Sequence, residues 1–189
     1  MTLAAQTEHA SSRRVRALVG AALLAALTAA LGPLAIPMQP VPITFQTFCV
    51  ALAAMLLPAE WAAGSMALYV ALGAAGLPVF AKGAAGLGVV TGPTGGYLAG
   101  FIVAAGVASL ARVGLRRIGA ARLVADIGAG VILLALIYGT GTPWLAFSLH
   151  VSLAKAAALG VMPFLVGDCV KVGVAILIAE AVRKAGIRF

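Results

Sequence analysis

Six long apolar stretches divide this chain, and they limit its possible folds more than any other feature of the sequence. They run approximately over Ala17–Ile36, Ile43–Leu57, Trp61–Gly76, Thr94–Ala111, Leu123–Tyr138 and Met162–Val182. A helix needs about 20 apolar residues to cross the ~30 Å hydrocarbon core of a bilayer. Hydrophobic residues make up 63% of the chain and charged residues 10%, so there are too few polar side chains to cover a soluble globule. The sequence therefore predicts an all-α, polytopic membrane protein with six transmembrane helices.

The basic residues are distributed unequally between the two sides of these stretches. If the N-terminus is cytoplasmic, ten of them face the inside: Arg13, Arg14, Arg16, Arg112, Arg116, Arg117, Arg122, Arg183, Lys184 and Arg188. Two of them, Lys82 and Lys155, then face the outside. This is the bias that the positive-inside rule describes, and an odd number of spans would destroy it. We therefore predict a multi-pass protein of the inner (plasma) membrane with both termini cytoplasmic, a tail over residues 1–16 and one six-helix domain over residues 17–189.

Charge and cysteine usage argue against several other classes of protein. The net charge of +8 is explained by the basic clusters between apolar stretches, so we predict no nucleic-acid partner. Cys49 and Cys169 lie in apolar stretches without ligand spacing to the two histidines, which predicts neither a disulfide framework nor a metal site. The first apolar stretch is followed by more membrane segments instead of a polar mature domain, so we expect it to be a span and not a signal peptide.

Asp168 and Lys171 lie three residues apart inside the last apolar stretch. Their spacing of three residues puts both side chains on one face of a helix. A charge near the bilayer centre costs at least ~2.5 kcal/mol on insertion scales, and such residues usually face the protein interior and mark a functional site. The pair predicts a polar site that opens to the outside. A buried ion pair that only fixes helix packing is the alternative.

Two further segments lie on the same predicted outer side. The loop Leu77–Pro93 is rich in glycine, which lets a backbone turn back on itself and approach a ligand closely, and we interpret it as a lid over a membrane cavity. Lys82 in this loop is either a mobile cation for a carboxylate or a solvated lysine. In the segment Gln39–Gln46, Thr44 and Gln46 open the second helix and either line the cavity or cap the helix.

One face of the first helix carries small residues. Ala21, Ala25 and Ala29 recur every four residues, and a parallel row is formed by Ala22, Ala26 and Ala30. Small residues at this spacing let another helix approach closely in a membrane, where packing drives association. The row either docks a partner helix or packs within the chain.

The segment Thr142–Gly160 is apolar but is interrupted by Ser148, His150, Ser152 and Lys155. A full crossing here would place the C-terminal basic cluster outside. The sequence therefore predicts an interfacial or re-entrant helix in the last outer loop. We assign no role to His150, because a lone histidine at an interface is usually amphipathic packing.

Three sequence runs resemble, in order and spacing, the BioY family, the biotin-specific substrate-binding components of energy-coupling factor (ECF) vitamin transporters. The runs are QPVPITFQTF, GLPVFAKGAAGLGVVTGPTGGYLAGF and MPFLVGDCVK. The resemblance extends over nearly the whole chain after Arg16. It implies a six-helix membrane protein that captures biotin from outside and joins a transmembrane coupling protein and two cytoplasmic ATPase subunits for uptake. It implies no cofactor, since biotin is the transported ligand.

The resemblance also implies that Asp168 and Lys171 bind biotin. A buried ureido ring needs an acceptor for its N–H groups and a donor for its carbonyl, because an unmatched buried polar group costs ~1–3 kcal/mol. We predict that Asp168 accepts from a ureido N–H, and that Lys171 donates either to the ureido oxygen or to the aspartate. Further candidates for the site are Thr44, Gln46, Tyr97 and Lys82, with Phe45, Phe80 and Phe164 as an apolar wall. The row Ala21, Ala25 and Ala29 resembles the docking surface for the coupling protein.

Two other classes of function fit this sequence less well. An enzyme is not expected, because the chain offers no second carboxylate near Asp168, no nucleophile with an adjacent base and no metal triad. A solitary secondary transporter of biotin or a related vitamin is the alternative, since the chain has no nucleotide-binding motif of its own. Flux into liposomes without ATPase partners separates the two modes of transport.

Overall fold

A computed structural model describes the backbone of residues 3–187 and the side chains of residues 14–187. The side chains of Arg13 and Arg188, two of the predicted inner cations, lie outside these residues. The described part is predominantly helical. Its helices are α1 (Leu3–Leu31), α2 (Gln46–Leu56), α3 (Ala59–Ala74), α4 (Leu87–Thr91), α5 (Gly95–Arg117), α6 (Arg122–Leu149), α7 (Leu153–Gly160) and α8 (Leu165–Lys184), with a 3₁₀ turn over Ala81–Gly83. Two short strands, β1 (Ala35–Ile36) and β2 (Ile43–Thr44), pair antiparallel.

Helix α1 differs from the first predicted span at both ends. It begins at Leu3, inside the segment predicted as a tail, and it ends at Leu31 because Gly32 and Pro33 follow. Gly32 lies against the carbonyl of Val79 and the hydroxyl of Tyr69, where a Cβ atom would collide with the backbone. The residues predicted as the end of the span instead form strand β1, which pairs with β2.

Length and composition identify fewer certain membrane crossings than the sequence predicts. Among the described residues, three helical segments are long and apolar enough to span a bilayer, namely Arg14–Leu31, Gly95–Arg117 and Arg122–Leu149. The pair α7 and α8, bent by 53°, adds a fourth if it is one broken span. Helix α2, with 11 residues, rises about 16 Å, which is roughly half of a hydrocarbon core. The six crossings therefore stay a prediction.

The predicted interfacial helix over Thr142–Gly160 is wrong in its first half. Helix α6 continues through Pro143 to Leu149, eleven residues beyond the predicted end of the fifth span at Tyr138. It stops at His150, which adopts the left-handed conformation with φ 52° that commonly terminates helices. Only Leu153–Gly160 forms a separate short helix, α7, which leads through a turn into α8. The side chain of Ser152 caps α7 by accepting from the N–H of Lys155.

The short helix α2 lies at the centre of the bundle. Nine of its residues are buried, and it packs against α1, α3, α5, α6 and α8. Five of these positions are alanine, cysteine or threonine, whose small side chains let the surrounding helices approach closely. The most extensive contact in the bundle joins α5 to α6, where Gly96 and Gly100 lie against Trp144 and Thr140. Because α2 is short and central, the space above its N-terminus is enclosed by the surrounding elements.

Gly73 on α3 gives a direct test of this packing. A Cβ atom at Gly73 would collide with the buried ring of Phe80, whereas one at Gly64 on the same helix meets no atom within 4 Å. We expect Gly73→Ala to lower the free energy of unfolding by about 1–3 kcal/mol through overpacking. The matched control Gly64→Ala is expected to leave it unchanged or raise it by up to about 1 kcal/mol. Thermal unfolding of the detergent-solubilised protein measures both, and equal stability of the two variants would contradict the packing described.

Candidate functional site: a polar cavity at one end of the bundle

A cavity of about 430 Å³ lies above the N-terminal end of α2. Its wall is formed by the segment that joins β1 to β2, the 3₁₀ turn, the starts of α2, α5 and α8, the middle of α6 and the end of α7. The structure brings all eight predicted substrate-site residues to this cavity: Thr44, Gln46, Phe80, Lys82, Tyr97, Phe164, Asp168 and Lys171. Phe45, the further aromatic candidate, is half exposed and does not line it. The sequence therefore identified one spatial cluster from four separate segments.

Asp168 is the buried charged group of the cavity wall. It lies in the first turn of α8, its residue is 4% exposed, and both of its carboxylate oxygens accept a hydrogen bond. Lys171 Nζ donates to Oδ1 at 2.8 Å, and the hydroxyl of Tyr138 on α6 donates to Oδ2 at 2.7 Å. Hydrogen bonds to an ionised partner are stronger than neutral ones, so two donors from two helices hold the carboxylate in one orientation. Each oxygen still has a lone pair that can face the cavity.

Lys171 lies one helical turn deeper along α8, as the sequence spacing predicts. Its side chain is 16% exposed, and its ammonium group has three donors, of which the bond to Asp168 uses one. Both residues of this ion pair line the cavity. The pair offers acceptors and donors side by side.

A second polar group lies on the opposite wall, at the start of α2. The hydroxyl of Thr44 donates to Oε1 of Gln46 at 3.0 Å and accepts from the backbone N–H of Gln46 at 3.3 Å. The Gln46 amide donates to the hydroxyl of Tyr69 on α3, which in turn donates to the carbonyl of Val79 at 3.1 Å. Thr44 therefore lines the cavity and contacts the first residue of α2, whose N-cap is Phe45. One amide N–H of Gln46 remains after these bonds.

Tyr97 and Lys82 have different environments. Tyr97, near the start of α5, is buried, and its hydroxyl donates to the carbonyl of Gly160 at 3.0 Å, which ties α5 to the end of α7. Gly141 and Gly160 contact its ring and hydroxyl so closely that neither position has room for a Cβ atom. Lys82 is exposed at the rim, in the left-handed conformation with φ 60°. Its side chain is therefore free of the tight packing that fixes Tyr97.

Sequence reasoning missed Tyr138 and Tyr69, the hydroxyl partners of Asp168 and Gln46. Both are polar residues inside apolar stretches, which is the signal that could have identified them. It also missed the apolar floor, where Leu98, Phe101 and Ile137 line the deep side of the cavity. Leucine and isoleucine in a membrane helix carry no sequence signal that separates a cavity wall from lipid-facing surface.

The alanine rows of α1 have opposite environments. Ala21 and Ala25 are buried within the chain, and Ala29 is half-buried, as α1 packs on α3 and α2. Packing within the chain, one of the two alternatives, therefore accounts for this row, and its predicted docking surface is closed to a partner in this conformation. The parallel row, Ala22, Ala26 and Ala30, is exposed.

The chemistry of the cavity is that of a binding site. Its polar wall offers a carboxylate, an ammonium group and an amide, and the rest of the lining is mainly apolar and aromatic. Among the described residues no group of three or more His, Cys, Asp or Glu side chains is arranged to hold a metal ion. The volume lies in the range of small-molecule sites, and a few placed polar groups in an apolar cavity are what such sites use for orientation.

The bond between Tyr138 and Asp168 can be tested by a double-mutant cycle. We expect Tyr138→Phe to lower the free energy of unfolding by about 1.5–3 kcal/mol, because it removes a hydrogen bond to a buried carboxylate. In an Asp168→Asn background the same substitution is expected to have a smaller effect, since the bond to a charged partner is already lost. Unfolding of the four proteins in detergent gives the coupling. An equal loss in both backgrounds would mean that the two groups do not interact.

Comparison with known proteins agrees with this geometry. The chain is 39% identical over 170 residues to the biotin transporter BioY of Thermotoga maritima, with 90% of this chain and 97% of that protein covered. It is 41% identical over 172 residues to the biotin transporter BioY of Rhodobacter capsulatus, with 86% and 90% covered. Its fold matches a crystal structure of the S-component for biotin from an ECF-type ABC transporter with a TM-score of 0.81 and 26% identity, over 92% of this chain and 93% of that one. The BioY family model matches residues 4–188, and the chain therefore belongs to the BioY family.

Proposed function

We propose that this chain binds biotin in the cavity and takes it up as the substrate-binding component of an ECF-type transporter. The observation that carries the proposal is Asp168, held between Lys171 and Tyr138 in the wall of an otherwise mainly apolar cavity. The names of the two relatives and of the matching crystal structure supply the ligand and the transporter class. A transport role also agrees with a site that offers binding groups without a nucleophile and its base.

Biotin matches the groups of the cavity. Its ureido ring has two N–H donors and one carbonyl acceptor, which complement the remaining lone pairs of Asp168 and the remaining donors of Lys171. Since Lys171 already donates to the aspartate at 2.8 Å, one ammonium group serves both partners that the sequence left as alternatives. The apolar thiophane body fits between Phe80 and Phe164, which are both buried in the wall. The valerate carboxylate then extends toward Lys82 at the rim.

Six crossings with both termini cytoplasmic remain part of this proposal. Helices α2, α5 and α8 begin at the cavity, whereas the C-terminal parts of α1 and α3 approach Val79 beside it and α6 reaches it from its middle onward, at Ile137 and Tyr138. The six helices therefore alternate in direction. The arginines at the other ends of α5, α6 and α8 then mark the cytoplasmic side by the positive-inside rule. The cavity would face the outside, as capture of an external vitamin requires.

Biotin affinity tests the role of the ion pair. We expect Asp168→Asn to weaken binding about 5- to 150-fold, because a ureido N–H would lose its charged acceptor at a cost of about 1–3 kcal/mol. Lys171→Gln is expected to have an effect of the same order. Isothermal titration of purified protein with biotin gives both affinities.

Matched controls are available for both substitutions. Glu60→Gln removes an exposed carboxylate at the far end of α3, and Lys184→Gln removes an exposed ammonium group at the far end of α8. Both controls are expected to bind biotin like the wild type. Unchanged affinity in Asp168→Asn would show that the carboxylate does not meet the ligand.

The partners in this proposal are a transmembrane coupling protein and two cytoplasmic ATPase subunits. The row Ala22, Ala26 and Ala30 supports docking of a helix, because it is exposed, smooth and spaced every four residues. It lies beside the buried row that the sequence suggested, one residue further along α1. The neighbouring exposed residues Leu23 and Leu27 would flank the partner helix.

Ala26→Trp tests the docking row. We expect it to abolish co-purification of the coupling protein and the ATPases, because the indole fills the groove that a helix would occupy, while biotin binding stays unchanged. The control Ala135→Trp places the same side chain on an exposed position of α6 and is expected to keep the partners. Loss of the partners in both variants, or in neither, would contradict docking on this row.

A further inference from the structure

A second ionic cluster lies at the end of the bundle away from the cavity. Arg183 is 15 residues beyond Asp168 on α8, a distance of about 22 Å along the helix axis. Its guanidinium forms a salt bridge with Asp126 of α6, whose residue is 2% exposed, and donates to the backbone carbonyl of Met55 at 3.5 Å. The carboxylate of Glu180 forms a salt bridge with Arg183 at 3.3 Å and another with Arg122 at 3.7 Å. The cluster therefore joins the ends of α2, α6 and α8.

The positive charges of this cluster outnumber its negative charges. Arg112, at the end of α5, is half-buried and interacts electrostatically with Asp126, Arg183 and Arg122. We call Arg112, Arg122 and Arg183 the arginine cluster. Three guanidinium groups thus face two carboxylates, and the Nε atoms of Arg112 and Arg183 are buried without a hydrogen-bond partner among the described residues. The cluster therefore has one positive charge without a carboxylate partner, and the guanidinium of Arg122, whose side chain is 53% exposed, has N–H donors that an anion can reach.

The surroundings of the arginine cluster indicate what kind of anion this is. Large apolar side chains next to the arginines are exposed, notably Ile118 at 80% and Leu123 and Val124 at 58% each. Further exposed cations, Arg116, Arg117 and Lys184, flank the same helix ends. An acidic soluble ligand would leave the apolar side chains bare, whereas a phospholipid covers them with its acyl chains and brings its phosphate to the arginines.

We propose that the arginine cluster binds the phosphate of an anionic phospholipid. A phosphodiester carries the single negative charge that the cluster lacks, and its oxygens accept from guanidinium N–H groups in a bidentate manner. Basic pockets between transmembrane helices are known sites for such headgroups. The lipid would complete the ionic bonds that hold the ends of α5, α6 and α8 together. This inference is independent of the ligand in the cavity.

The lipid selectivity of the purified protein tests whether the arginine cluster binds an anionic phospholipid. Full-length protein is equilibrated in micelles that contain equal amounts of phosphatidylglycerol and phosphatidylcholine, and the bound lipids are counted by native mass spectrometry. We expect the wild type to retain phosphatidylglycerol in preference to phosphatidylcholine. Arg112→Gln and Arg122→Gln are each expected to lower this preference about fivefold, the contribution of one basic side chain near a membrane surface. If Arg112→Gln fails to fold, Arg112→Lys replaces it and is expected to show a smaller loss.

The control is Arg14→Gln, which removes an exposed cation from α1 at the same end of the bundle. It is expected to keep the wild-type preference, and thermal unfolding of each variant reports that it is folded. Three results would overturn the proposal. The first is an equal loss of lipid preference in Arg14→Gln. The second is that inorganic phosphate stabilises the lipid-free protein against heat as much as phosphatidylglycerol does. The third is that Arg112→Gln loses the coupling protein while its lipid preference is unchanged.

Discussion

The carboxylate of Asp168 sets the conditions that the rest of the cavity must meet. An uncompensated charge inside an apolar bundle would cost several kcal/mol, so the fold has to supply donors at this point. It does so from two helices, with Lys171 on α8 and Tyr138 on α6, which makes the relative position of these helices part of the site. The polar group opposite, built on Gln46, is fixed in the same way through Tyr69. The same few hydrogen bonds therefore orient the polar groups of the cavity and fix the positions of the helices that carry them.

Local sequence features predicted the membrane class and a helical fold, and together with the family resemblance they named eight residues that line the cavity. These predictions succeeded because charges, prolines and glycines affect the backbone close to them. An ion pair at a helix start or a glycine-rich loop therefore indicates the same local feature in many folds. The sequence failed where two local signals compete. The polar residues between Ser148 and Lys155 suggested a separate interfacial helix from Thr142, yet α6 continues through Pro143 to Leu149 because packing against α5 and α7 outweighs the single backbone bond that proline removes.

The alanine rows show a different limit of sequence reasoning. Ala21 and Ala22 begin two rows with the same spacing, and composition gives no way to decide which row faces the bundle. The answer depends on where α2 and α3 lie, which is a long-range property of the fold. The same reason hid Tyr138, whose partner is 30 residues away on another helix. Contacts between distant segments are the part of this site that periodicity cannot supply.

Helix α8 carries an ionic group near each end, Asp168 with Lys171 at one and Arg183 at the other. A helix anchored in this manner cannot slide along its axis or rotate about it without breaking the Tyr138–Asp168 hydrogen bond at one end and the Arg183–Asp126 salt bridge at the other. Its bonds reach Tyr138 and Asp126, which lie on the same neighbouring helix, α6. These two bonds hold α6 and α8 in one relative position. Any rearrangement that admits or releases a ligand must therefore come from other parts of the chain, above all the glycine-rich loop between α3 and α5.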